Sequence, residues 1–179
     1  MKITDKDFLD AELSMGISPD NPAFVGLADA TIEQLKELGV KTVLDYGAGV
    51  GVYADAAHRA GYEITACDIW QAHREFMQSR YPSLIVTDKP KTTDLMLFIE
   101  VAEHMTDEEL TKLFKKIKPK YILFSSTPER TPNDEAWGHI NIKDAPQWHE
   151  MFAAFGYNVI KKLNQPTGHT YLYEKSKNQ

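Results

Sequence analysis

Cysteine is nearly absent. Cys67 stands alone among 179 residues, so no disulfide can close within the chain. That fits a reducing, cytoplasmic compartment. No apolar run reaches the length needed to span a membrane. The first residues, Met1-Lys2-Ile3-Thr4-Asp5-Lys6-Asp7, carry charges where a secretory leader needs an apolar stretch. Basic residues are not in excess: 20 Lys and Arg against 26 Asp and Glu leave a net charge of -6. This argues against a broad nucleic-acid surface, although Lys115-Lys116-Ile117-Lys118-Pro119-Lys120 is locally basic. Internal repeats and low-complexity segments are missing too, which excludes a solenoid. What remains is one globular domain over residues 1–179, large enough to bury a core without disulfide or metal staples.

Helical and strand patterns alternate. Ala28, Ile32, Leu35 and Leu38 recur at helical spacing within residues 21–38, and Gly39 suits the stop. Residues 41–46 read as a buried strand. A glycine turn follows, then a helix over residues 50–60. Residues 62–67 read as a second strand, residues 71–80 as a short helix, and residues 84–87 and 94–99 as the third and fourth strands. Thr106 and Glu109 have capping-box spacing, and Leu110, Leu113, Phe114 and Ile117 form the apolar stripe of the helix they open. Residues 121–125 are a fifth strand. Asp144 opens a helix with Trp148, Met151, Phe152 and Phe155 on one face, and strands near 157–163 and 169–174 close the chain. This order predicts an α/β, Rossmann-like, doubly wound, mostly parallel seven-stranded sheet with an antiparallel last strand and helices on both faces. Between the third and fourth strands only residues 88–93 are available. A parallel crossover usually takes about a dozen residues, so its helix is predicted to be missing and the link extended.

The glycine turn is Asp45-Tyr46-Gly47-Ala48-Gly49-Val50-Gly51. Its spacing is G-x-G-x-G. Val52 stands where a dinucleotide fingerprint would put its third glycine. An acid, Asp45, precedes it, which would repel a pyrophosphate and attract a cationic ligand. Asp68 ends the second strand, where a carboxylate can accept hydrogen bonds from both hydroxyls of a ribose. Together they predict a ligand with a ribose and a positively charged tail.

The stretches VLDYGAGVG, ITACDIW and DLMLFIEVAEHM, together with WGHINIKDAPQWHEMFAAFGY, resemble the class I methyltransferases that use S-adenosylmethionine (SAM), across residues 43–156. The resemblance implies a SAM-dependent methyltransferase, with S-adenosylhomocysteine (SAH) as product, acting on a hydroxyl or amine of a small-molecule or sugar-like acceptor; the alternative is a protein that keeps the SAM fold and binds SAM without catalysis. It implies that Asp45, Gly47, Gly49 and Gly51 hold the methionine end and Asp68 the ribose, with Ile69 beside it. Thr87 and Asp88 would flank adenine, and Glu100 and Val101 would line the cofactor near sulfur. The short 88–93 link departs from the usual pattern at the adenine side. The resemblance also implies that residues 1–40 are an N-terminal helical segment that folds over the cofactor as a lid, with Phe8, Leu9, Leu13 and Met15 as its apolar cover.

Glu100, Glu103 and His104 follow the fourth strand, and His139 follows the fifth. In doubly wound sheets ligands bind at these strand ends. His139 and His104 are therefore the candidate catalytic residues, since histidine is the natural base near neutral pH. Two carboxylates and two imidazoles also make a divalent-metal set. The pattern resembles metal-assisted methyltransferases of the RNA 3′-terminal 2′-hydroxyl. The expectation adopted is metal-free, because Glu-Val-x-Glu-His also occurs in metal-free class I enzymes. Trp137 is a candidate wall of the acceptor pocket, Tyr53 packs or contacts cofactor, and Trp148 and Cys67 are predicted core. His149 is predicted to face solvent, and His58, His73 and His169 show no constellation.

Overall fold

The computed structural model describes residues 4–177 apart from Glu129 and Asn133, and leaves the side chains of Glu135 and Ala136 undescribed. Residues 1–3, part of the charged N-terminus noted above, lie outside it. Seven strands form one sheet in the order β3-β2-β1-β4-β5-β7-β6, where β1 is Thr42–Tyr46, β2 Glu63–Cys67, β3 Ile85–Thr87, β4 Leu95–Ile99, β5 Tyr121–Ser125, β6 Tyr157–Leu163 and β7 Thr170–Lys175. β7 runs antiparallel to both its neighbours, β5 and β6. The structure divides into two compact units, Met1–Lys91 and Thr92–Gln179.

In the first unit, β1 and β2 pair in parallel with Asp45 opposite Ala66, and β3 continues the sheet from β2. The helices are α1 (Asp5–Ser14), α2 (Pro22–Glu33), α3 (Val52–Arg59) and α4 (Gln71–Arg80). Asn21 caps α2, whose first residue is Pro22, and the chain then continues as a single 3-10 turn, Lys36–Leu38, that Gly39 ends in the left-handed conformation. The predicted helix over 21–38 is thus two pieces. Gly16, also at positive φ, follows the end of α1 at Met15. α3 starts two residues later than its apolar pattern predicts. Gly51 is its N-cap at φ 78, which withholds Val50 from the helix.

Residues 88–94 hold neither helix nor strand, as their number predicts. In the second unit β4 and β5 pair in parallel, with Ile99 opposite Ser125. Thr106 and Glu109 form the predicted capping box of α5 (Asp107–Lys116), and Asp144 forms one with Gln147 at α7 (Ala145–Ala154). Phe114 of α5 stacks on Phe155, and Phe124 of β5 meets Phe152 and Trp148 of α7 edge-on. This aromatic cluster is the core of the unit. His149 does not face solvent as expected. Its Nδ1 lies 2.6 Å from the Tyr173 hydroxyl, and its ring meets Tyr171 edge-on, so it is turned to β7. Among the described residues no helix is long and apolar enough to cross a membrane.

Gly51 is a point of close packing. A β-carbon there would sit 2.8 Å from Met77 Cγ and 3.3 Å from the Tyr81 ring, both from the α4 side of the unit. The left-handed φ adds a backbone cost for any side chain of about 1–2 kcal/mol. Gly51→Ala is expected to lower unfolding free energy by about 2–4 kcal/mol, the sum of that strain and of moving a buried methionine. A urea titration that shows less than about 1 kcal/mol would mean the turn relaxes freely.

Candidate functional site

Candidate residues gather within each unit. In the first, the turn after β1 folds back onto the end of β2. Gly47 and Ala48 N–H both donate to the Cys67 carbonyl, at 2.8 and 3.1 Å, and Gly51 N–H donates to Ala48. Gly49, at φ 52, donates its N–H to Asp68 Oδ2 at 2.9 Å. Asp68 Oδ1 accepts from Trp70 N–H, also at 2.9 Å. The Asp68 carboxylate therefore ties the glycine turn to the end of β2. Each oxygen keeps a second lone pair for a ribose hydroxyl. Asp68 N–H itself donates to the Thr87 carbonyl, which sets β2 and β3 side by side at this end.

Asp45 is 3% exposed, and its Oδ2 is buried without a hydrogen-bond partner. Burial, and then the negative charge of Asp68, push its pKa up to about 7, with a hydrogen bond to Ala54 opposing. A cationic group brought to this carboxylate would relieve both effects. A buried carboxylate oxygen without a partner beside the glycine turn, with the free lone pairs of Asp68 nearby, offers acceptors that suit the ammonium and hydroxyl donors of SAM. The other sequence-predicted residues of this unit are placed differently. Ile69 is an exposed side chain at the Asp68 corner, Asp88 is exposed, and Thr87 Oγ1 accepts from Lys89 N–H. Tyr53 packs edge-on against Phe24.

Sequence reasoning missed two residues here. His73 of α4, read as unattached, is 1% exposed, and its Nε2 lies 2.7 Å from Glu12 Oε2 of α1. Burial pushes His73 toward its neutral form, but Glu12 outweighs it and holds the pKa above the ordinary histidine value. Phe8 meets the Trp70 ring edge-on at 4.6 Å, and Leu9 is buried, so α1 lies on this unit as a helix. Met15, expected in the cover, is exposed. No spacing in the sequence relates residue 12 to residue 73.

In the second unit, Glu100 adopts φ 53, unusual for a residue with a side chain. Its N–H donates to the Ser125 carbonyl, and its carboxylate accepts from the hydroxyls of Ser125 and Thr127. Val101 leads into the 3-10 turn Ala102–His104, where Glu103 is fully buried. Glu103 Oε1 accepts from Thr127 N–H, and its backbone carbonyl accepts from Ile140 and Asn141. Burial, and then the nearby Glu100 carboxylate, raise the Glu103 pKa well above the usual carboxylate range.

His104 and His139 come together edge-on, with ring centroids 4.8 Å apart. Burial, and then His139, lower the His104 pKa to about 4, so that ring is neutral at ordinary pH. His139 Nδ1 lies 3.2 Å from Asp134 Oδ1, and Asp134 also accepts from Thr131. Burial pushes the Asp134 pKa up, but its bonds from Thr131 and His139 prevail and hold it below the ordinary value. An ionised carboxylate only accepts, so Nδ1 carries a hydrogen, and in the neutral ring the lone pair is then on Nε2. Asp134, the first residue of the short helix α6 (Asp134–Trp137), was not found from sequence. Trp137 ends that helix and is half-buried. Ligand atoms of Glu103, His104 and His139 lie within 4.8 Å of one another, so three of the four candidate metal ligands come together, while Glu100 turns to Ser125 and Thr127.

Comparison with known proteins adds the following. A family profile described as a methyltransferase domain matches residues 23–162, most of the chain and both units. No curated protein matches in sequence. Among solved structures, the chain is similar to magnesium protoporphyrin IX methyltransferase ChlM of Synechocystis PCC 6803 with bound SAM (15% identity, TM-score 0.67, covering 95% of this chain and 85% of that one). It is also similar to the mitomycin 7-O-methyltransferase MmcR (15%, TM-score 0.64, 87% and 55%) and to the methyltransferase domain of bacterial CtHen1 (18%, TM-score 0.59, 83% and 96%). The chain thus spans about half of MmcR. At these identities the likeness is one of fold.

The buried Asp45 carboxyl makes the pH dependence of stability testable. A carboxyl whose folded pKa is raised binds its proton more tightly in the folded state, so stability falls as pH climbs from the unfolded to the folded pKa. For Asp45 that window runs from 3.8 to about 7. The upper bound on the loss is about 4 kcal/mol. His104, whose pKa is lowered, acts in the opposite sense between about 4 and 6.5. The difference between wild type and Asp45→Asn isolates the carboxyl. Urea midpoints should show the variant gaining on the wild type between pH 5 and pH 8. A constant difference across that range would mean Asp45 is solvated in solution.

Proposed function

We propose, for a chain that belongs to the class I SAM-dependent methyltransferases, transfer of a methyl group from SAM to a hydroxyl or amine of a small-molecule or sugar-like acceptor, in the cytoplasm, with the whole chain acting as one domain. The observation that carries the cofactor half is the buried, unpartnered Asp45 Oδ2 beneath a glycine turn pinned by Asp68. Asp45 and the turn, through Gly47 and Gly49, hold the methionine end. Asp68 holds the ribose, and Thr87, Asp88 and Ile69 border the adenosine. SAM supplies an electrophilic methyl group on a sulfonium, so a neutral or anionic nucleophile placed in line needs little further activation. Glu100 and Val101, at the C-terminal end of β4, line the reacting end. The small-molecule methyltransferases among the similar folds support this acceptor class.

The observation that carries the hydroxyl reading is the Asp134–His139 pair. Asp134 fixes the tautomer, and His139 Nε2 presents a lone pair for the acceptor proton. His104, kept neutral by burial and by its neighbour, does not compete for that proton. The Glu103 carbonyl accepts from Ile140 and Asn141 and so holds the loop that follows His139. A second reading is favoured by the approach of Glu103, His104 and His139. These residues could together bind a divalent cation and assist methylation of an RNA 2′-hydroxyl.

SAM and SAH are expected to raise the melting temperature, since a ligand at a hundred times its Kd stabilises the folded state by about 2.7 kcal/mol. NAD is expected to leave it unchanged, and an equal shift with NAD would overturn the cofactor assignment. With a hydroxyl acceptor, His139→Ala should lower kcat by about 100-fold to 10,000-fold while SAM affinity holds. Retained kcat would remove the base. Activity is expected to survive a strong chelator. Abolition by chelation and rescue by manganese would establish the second reading instead.

A further inference from the structure

We propose that Glu12, on the N-terminal helix α1, is a cofactor-recognition residue whose carboxylate takes the α-ammonium of the methionine end of SAM, with His73 as the residue that positions it. This rests on the reading that SAM binds at the glycine turn. α1 is fixed on the first unit by several contacts. Thr4 and Asp7 form its capping box, Asp5 Oδ2 accepts from Ala72 N–H at 3.3 Å, and Phe8 packs on Trp70. Glu12 lies near the end of that helix. Its two oxygens have different surroundings. Oε2 is 2.7 Å from the buried His73 Nε2, and Oε1 is 3.5 Å from the place a β-carbon on Gly49 would occupy. The second oxygen therefore borders the turn on the side that glycine keeps open.

The chemistry of the turn selects the ligand group. Asp45, Asp68 and Glu12 are all acids, so the carboxylate of the methionine end is repelled and the ammonium attracted. Asp68 already spends one bond from each oxygen on Gly49 and Trp70. Asp45 is almost wholly buried, and its desolvated carboxyl is a weaker anion near neutral pH. Glu12 is more accessible, with 14% of its side chain exposed, and it is balanced by an imidazole whose charged form it stabilises. An ammonium has three donors, so it can be shared between Glu12 Oε1 and further acceptors of the turn. A pairing with His73 that served only to dock α1 would not require Oε1 to border the glycine turn.

Calorimetry on the full chain tests this with three ligands: SAH, its analogue lacking the α-amino group, and 5′-methylthioadenosine, which lacks the whole methionine end. Glu12→Gln keeps the side-chain size and is expected to raise the Kd of SAH about tenfold or more, the worth of a charge-assisted hydrogen bond. Affinity for the other two ligands should stay within about twofold. Equal losses for all three would show that Glu12 acts only by docking α1, and an unchanged SAH affinity would likewise overturn the role. Hydrogen exchange on the unmodified chain supplies a readout that does not depend on the variant folding. SAH should protect residues 4–14 more than 5′-methylthioadenosine does, and equal protection overturns the proposal. Failure of the wild type to bind either SAH or 5′-methylthioadenosine would overturn the cofactor site itself, a result distinct from loss of discrimination alone.

Discussion

The contact on which the first unit depends is the hydrogen bond from Gly49 N–H to Asp68. A glycine turn is the least ordered part of a strand–helix junction, because glycine loses the most conformational freedom on folding. Here a carboxylate at the end of the neighbouring strand holds it, and the same carboxylate caps its own corner through Trp70 N–H. The consequences spread outward. Trp70 becomes the surface on which Phe8 packs, and α4, which begins at Gln71, supplies His73 to Glu12. The cost falls on Asp45. With Asp68 fixed nearby and water excluded, its carboxylate is destabilised by burial and by like charge. The unit is therefore built with an electrostatic deficit that a cation at the turn would relieve.

The second unit solves a comparable problem without a cation. Glu100 sits at a left-handed φ, which costs about 1–3 kcal/mol and persists only where surroundings over-determine it. Its N–H and both carboxylate oxygens are fixed by Ser125 and Thr127. Glu103 lies deeper. Its side chain is tied to Thr127 N–H and its carbonyl to residues 140 and 141. Burial and the neighbouring Glu100 carboxylate raise the pKa of Glu103. Its backbone carbonyl anchors the loop that follows His139.

The legible part of this molecule was its local part. The capping box at Thr106, the helix start at Asp144, the stop at Gly39 and the absence of a helix in residues 88–94 all follow from spacing within a few residues. The antiparallel last strand follows from a five-residue link. Apolar period marked α3 two residues early because it does not register backbone sign, and Gly51 at positive φ sets the true start. At the site, Asp45, the glycines and Asp68 were legible because a turn and two strand ends declare themselves in sequence. Asp134 and the Glu12–His73 pair were not. They are polar residues on helices, indistinguishable from solvated surface until the chain folds. His149 shows the same limit, since only the tertiary fold turns it onto Tyr173.

On the proposed reading, the acids of the first unit address parts of SAM that the reaction leaves untouched. Methyl transfer removes the sulfonium charge but keeps the ammonium and the ribose. Asp45, Glu12 and Asp68 therefore contribute nearly the same binding free energy to substrate and to product. Uniform binding of this kind lowers KM without raising kcat. On that reading, discrimination between SAM and SAH must come from groups other than these three acids.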